Sequence, residues 1–203
     1  MNTASQELKF RHTQMLINEG VTLEGQNLIL VPYTKELVEQ YHSWFVNDPE
    51  LLEATCSDLL TLEEEYVNQE SWRTDECKLT FLIRDRTETT FSLCGDINAF
   101  LSDHFEQDWI DSDEYVEDPI PSGKVAEINL MIAEKSSRRK GIAEEAMRIF
   151  TEYMVSNISN LRLLVAKIQL GNLASIKLFE KLGFVKFNTL ECFNEVHYIK
   201  RLD

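Results

Sequence analysis

The sequence predicts an α/β fold, a mixed sheet with helices on both faces. Three observations carry that prediction. Apolar runs of strand length alternate with segments whose apolar residues recur at helical spacing. Capping and turn residues stand where those segments should end. The chain has 203 residues, 43% hydrophobic and 27% charged, enough for one domain with a buried core.

Residues 1–20 are polar and aperiodic and read as a flexible N-terminal arm ahead of a single domain over 21–203. Asn27 to Tyr33 reads as a strand stopped by Pro32. Thr34 is placed to cap a helix carrying Leu37, Tyr41, Trp44 and Phe45. Thr61 with Glu64 three residues on is a capping box opening a second helix to about Trp72. Strands follow over Lys78–Ile83 and Leu93–Leu101. Val125–Ala133 reads as a strand, Gly141 to Met154 as an amphipathic helix, and Leu163–Leu170 as a strand. Ala174–Leu182 is a short helix ended by Gly183, and Phe184–Phe187 and Cys192–Ile199 are the last strands. The expected order is β-α-α-β-β-β-α-β-α-β-β.

Charge narrows the function. With 35 acidic and 20 basic residues the net charge is −15, which disfavours nucleic-acid binding and polybasic membrane contact. Residues 103–123 read as an acidic loop insertion, with eight carboxylates and no lysine or arginine between Asp103 and Asp118. It reads either as a solvated insertion or as a surface that attracts a basic acceptor. Cys56, Cys77, Cys94 and Cys192 show no C-x-x-C pair, and His12, His42, His104 and His197 are dispersed, so no metal is expected. No apolar signal-like stretch opens the chain, so a cytoplasmic location is expected, with the nucleus left open.

One segment carries chemistry. The apolar strand through Glu127, Leu130, Met131 and Ile132 passes into a basic turn, Arg138-Arg139-Lys140-Gly141, and directly into a helix beginning Ile142-Ala143-Glu144. A helix start offers unpaired amides and a positive dipole end, so this turn suits a diphosphate. The spacing fits neither a Walker loop nor a G-x-G-x-x-G fingerprint.

Arg138-x-x-Gly141-x-Ala143 instead resembles the R/Q-x-x-G-x-G/A acetyl-CoA signature of the GNAT superfamily of N-acetyltransferases. Downstream, Asn172 and the helix ending Lys181-Leu182-Gly183-Phe184 resemble that family's second signature. The runs Leu30-Val31-Pro32-Tyr33-Thr34, Gly95-Asp96-Ile97-Asn98 and Phe193-Asn194-Glu195-Val196 are similar to the eukaryotic N-acetyltransferase 9-like group, over about residues 20–200. The resemblance implies the GNAT fold, with a mostly antiparallel sheet, and an acetyl-CoA-dependent N-acetyltransferase.

It also implies site roles. The backbone of Leu130, Met131 and Ile132 is expected to hold the pantetheine arm. The amides of Arg139, Lys140, Gly141, Ile142, Ala143 and Glu144 are expected on the diphosphate, with Arg138 to Lys140 adding charge. Asn172 reads as a pantetheine-positioning residue or as a plain loop residue; Ser175 reads as a cofactor contact or as an exposed helix start. Glu127 is the first candidate general base and Glu195 the reserve. Relatives often carry a tyrosine acid where this chain has Phe179, so the thiolate leaves without that help or Tyr198 substitutes.

The implied reaction moves acetyl from acetyl-CoA to a primary amine by direct attack in a ternary complex. A protein acceptor of basic character, through its N-terminus or a lysine, is the first expectation. A polyamine or other small-amine acetyltransferase is one rival. The other is an acetyl-CoA-binding protein, weak in catalysis, acting through a partner such as the cytoskeleton.

Overall fold

The computed structural model describes residues 17–55, 57–87, 91–103 and 122–202. The expected arm up to residue 16, Cys56 and residues 104–121 of the acidic loop lie outside the described residues, as do His12 and His104.

Eight strands form one sheet: β1 (Leu23–Glu24), β2 (Leu28–Pro32), β3 (Lys78–Asp85), β4 (Leu93–Ser102), β5 (Lys124–Ile132), β6 (Leu161–Gln169), β7 (Val185–Leu190) and β8 (Glu195–Arg201). Their spatial order is β1-β2-β3-β4-β5-β6-β8-β7. Every neighbouring pair is antiparallel except β5 and β6. That single parallel pair requires a crossover, and the helix after the basic turn supplies it.

Helices cover both faces. On one side α4 (Ile142–Asn157) and α5 (Leu173–Lys181) pack on the sheet, burying Ala146, Met147, Phe150 and Met154 against Leu79, Phe81, Ile97 and Ile128. The buried α4 residues recur at helical spacing, as the sequence predicts. Phe81 meets Phe150 edge to face at 6.1 Å. On the other side lie α1 (Val38–Asn47), α2 (Pro49–Thr55) and α3 (Leu62–Thr74), with Tyr41, Trp44 and Phe45 packed on Leu82 and Leu93. The capping box at the start of α3 is formed: Glu64 N–H donates to Thr61 Oγ1, and Thr61 N–H donates to the Glu64 carboxylate.

Four local expectations change. Thr34 makes no side-chain cap; a short 3-10 turn at Lys35–Leu37 intervenes before α1. The strand expected from Cys192 starts at Glu195, because Asn194 takes a left-handed φ of +57° after a 3-10 turn at Glu191–Phe193. Strand β1 and helix α2 are additional. The sequence does mark α2, since Asp48 and Pro49 suit a helix start.

A carboxylate ties the first hairpin to α4. Glu145 accepts from the amides of Gln26 and Asn27 and from Asn27 Nδ2, the last at 3.0 Å. Gly25 leaves the space, since a Cβ there would lie 2.5 Å from Glu145 Oε1. We expect Glu145→Ala to lower unfolding free energy by about 2 kcal/mol, as several charge-assisted bonds are lost together. Urea denaturation measures this, and an unchanged midpoint would refute it.

Candidate active site

The parallel ladder between β5 and β6 is short. It runs from Lys124↔Leu161 to Glu127↔Val165 and stops. Beyond it β5 stays bonded to β4 as far as Ile132↔Gly95, and β6 stays bonded to β8 as far as Gln169↔Glu195. Two backbone edges therefore diverge, and Leu130, Met131 and Ile132 lie on one of them, half-buried. Backbone groups on such an edge must find other partners. Gly95 helps to hold β5 against β4, since a Cβ there would come within 2.0 Å of Met131 O.

The strand leads into the basic turn. Gly141 has φ +79°, a conformation costly for other residues, and a Cβ there would face open space. The first intrahelical bond of α4 is Glu145 N–H to Gly141 O, so the amides of Ile142, Ala143 and Glu144 precede the ladder. This donor set, at a positive dipole end, suits an anionic group such as a diphosphate. A cleft of about 450 Å³ begins at Gly141 and Glu144 and continues along α4 to Leu182 and Lys200.

The three cations of the turn are used differently. Arg138 Nε donates to Ile132 O at 2.9 Å and its Nη2 to Ala133 O at 3.2 Å, closing the end of β5. Lys140 lies 3.5 Å from the Asp85 carboxylate. Arg139, at φ +61°, is exposed and has no ion-pair partner among the described residues. Glu144 is bridged by Lys181 at 2.6 Å, which joins the start of α4 to the end of α5.

Strand alternation places Glu127, Asn129 and Met131 on the face of α1 to α3, opposite Ala126 and Ile128. On that face Glu127 Oε2 lies 2.8 Å from Lys167 Nζ, both half-buried. His197 stands 3.4 Å from Glu195 on β8. Asp96 on β4 sits opposite Met131 and is 3% exposed. Burial pushes its carboxyl up to about 6, against the opposing pull of Asn98 and Lys78. Burial also pulls the Lys78 ammonium down to about 8; its Nζ lies over the rings of Trp72 and Phe100.

Helix α2 bridges the open edges. At one end Lys135 Nζ, just after β5, lies 3.6 Å from Glu50 of α2 and 3.0 Å from Asp48, which directly precedes α2; beside it Trp44 Nε1 on α1 donates to Glu134 at 2.7 Å. At the other end Gln169 Nε2 on β6 donates to Glu53 O at 3.5 Å. Asn172 is the N-cap of α5, accepting from Ser175 N–H at 3.1 Å. Phe179 is 4% exposed and packs edge to face on Phe184. Tyr198 lies in the same core cluster, on the face opposite Glu127, and donates to Glu180 at 2.8 Å. Burial, with Glu180 beside it, raises its phenol.

The acetyltransferase (GNAT) domain family matches the chain over residues 27–185. The chain belongs to the GNAT acetyltransferase family. An N-acetyltransferase 9-like protein of Nematostella vectensis is 39% identical over 189 residues, covering 90% of this chain and 86% of that one. The human alpha/beta-tubulin-N-acetyltransferase 9 is 38% identical over 191 residues, covering 90% and 84%. Among solved structures, a microcin C7 self-immunity acetyltransferase in complex with acetyl-CoA and AMP superposes with a TM-score of 0.65 at 14% identity, covering 88% and 94%. The GNAT fold is thus shared even where sequence is not. The protein is an acetyl-CoA-dependent N-acetyltransferase.

Proposed function

We propose that this GNAT enzyme transfers acetyl to a primary amine of a protein acceptor, an N-terminus or a lysine, by direct attack in a ternary complex. The observation that carries the reading is the ladder ending at Glu127↔Val165, which leaves an open backbone edge between an anion-binding turn and a face bearing carboxylates. Acetyl-CoA supplies the activated acetyl group. In this reading Leu130, Met131 and Ile132 align its arm through backbone groups, and the amides of Arg139 to Glu144 meet its diphosphate. Arg138 acts by closing β5, and Arg139 contributes free charge. Asn172 and Ser175 order the start of α5 beside the arm.

Lys167 fixes Glu127 through Oε2, and Oε1 takes the proton from the acceptor ammonium. Glu195 is held by His197 and stands in reserve. Phe179 has no proton to give and Tyr198 is engaged by Glu180, so the departing thiolate is protonated by solvent. Glu50 and Glu53 on α2 add acidic character and favour an acceptor of basic character. The relatives named for alpha/beta-tubulin support a protein acceptor, with a cytoskeletal partner as its specific form. The acidic loop and a cytoplasmic setting are compatible with that choice.

Acceptor profiling tests the proposal. Acetyl transfer to peptides bearing a free N-terminus or a lysine should exceed transfer to spermidine by at least about tenfold in kcat/KM. Preference for the polyamine would establish the small-amine rival. No transfer to any amine, with coenzyme bound, would favour a binding protein.

A further inference from the structure

Asp85 ends β3, far in sequence from the basic turn, and no signature points to it. It is 1% exposed, yet its carboxylate gathers polar groups from both sides. Ser137 Oγ donates to Oδ2 at 2.7 Å, and Lys140 Nζ lies 3.5 Å from that same oxygen. Thr87 donates to Oδ1 from its amide at 2.7 Å and from its hydroxyl at 2.5 Å. Lys140 also donates to Thr87 Oγ1 at 3.2 Å. Burial alone would push the carboxyl up, but the bonds from Thr87 and Ser137, with Lys140 beside it, hold it below the ordinary range.

We propose that Asp85 is the positioning residue of the diphosphate turn, clamping Ser137 and Lys140 so that the amides from Arg139 to Glu144 converge. This rests on the cofactor site proposed above and deepens it. Ser137, itself 3% exposed, precedes Arg138, whose side chain closes the end of β5. One buried anion therefore fixes the turn on both flanks of the Arg138–Arg139 pair, with Ser137 before it and Lys140 after. The backbone between those anchors, including Arg139 in its left-handed conformation, has little freedom to rearrange. The pairing also neutralises Lys140 and leaves Arg139 as the cation available to a ligand.

The test is calorimetric binding of coenzyme A, with thermal unfolding in its absence and kcat at saturating acetyl-CoA. Asp85→Asn keeps the shape and removes the charge. It should raise the Kd of coenzyme A by about tenfold, as expected for a charged anchor, with kcat within about twofold. Ser137→Ala, the milder variant, should raise Kd by about threefold, and the double variant should bind no worse than Asp85→Asn alone. Wild-type affinity in a folded Asp85→Asn protein, or additive effects in the double variant, would overturn the assignment. Failure of the wild type to bind coenzyme A would instead overturn the cofactor site itself.

Discussion

Glu127→Gln is expected to lower kcat by about a hundredfold or more, while KM for acetyl-CoA stays within about twofold. Glutamine keeps the size of the side chain and its reach toward Lys167 on β6, so the change removes proton acceptance and the charge facing Lys167. Steady-state kinetics at saturating acceptor read this directly. The loss should shrink as pH rises, because more of the acceptor arrives as neutral amine. An equal fall in kcat for Glu195→Gln with Glu127→Gln unaffected would move the base to β8. Unchanged kcat in both would leave deprotonation to solvent.

The second large effect concerns stability against pH. Asp96 holds its proton to about pH 6 in the folded protein, against an ordinary value of 3.8. Between those values the native state binds the extra proton, so its unfolding free energy falls as pH rises. Integrated over the window, this single buried group costs about 3 kcal/mol by neutral pH. Asp96→Asn retains an acceptor for Asn98 Nδ2 and removes the buried charge. Denaturant titrations at pH 4 and pH 7 should show the variant gaining on the wild type at the higher pH by that order. Lys78 acts oppositely and later: its lowered value of about 8 makes stability rise as pH climbs toward 10.5. A pH-independent difference between wild type and Asp96→Asn would contradict the burial of an ionising carboxyl.

Much of this molecule is legible in its residues, for physical reasons that also explain the gaps. The α4 face and the Thr61–Glu64 capping box are local patterns, and both form as read. The glycine at 141 is readable as part of the Arg138-x-x-Gly141-x-Ala143 pattern, and the structure adds its left-handed φ of +79°. The divergence of β5 from β6 follows from resemblance, since nothing in the apolar run itself says where a ladder stops. The roles of Asp85 and Glu145 are invisible in sequence because Ser137 and Lys140 for the one, and Gln26 and Asn27 for the other, lie far along the chain; the burial of Asp96 appears only once the sheet and helices are packed. The uses of Arg138 and Lys140 are hidden similarly: three adjacent cations look alike until the fold shows which carbonyls and carboxylates they reach.

The most direct test of the site is thermal unfolding of the wild type and Gly141→Asp, each with and without acetyl-CoA. Aspartate would place bulk and negative charge in the open space before the turn, at a cost in backbone strain that is the same with and without ligand. At one hundred times the dissociation constant the wild type should gain about 2.7 kcal/mol. The wild type should show that gain and the variant should lose it. An equal gain in both would place acetyl-CoA elsewhere on the protein and contradict the site described here.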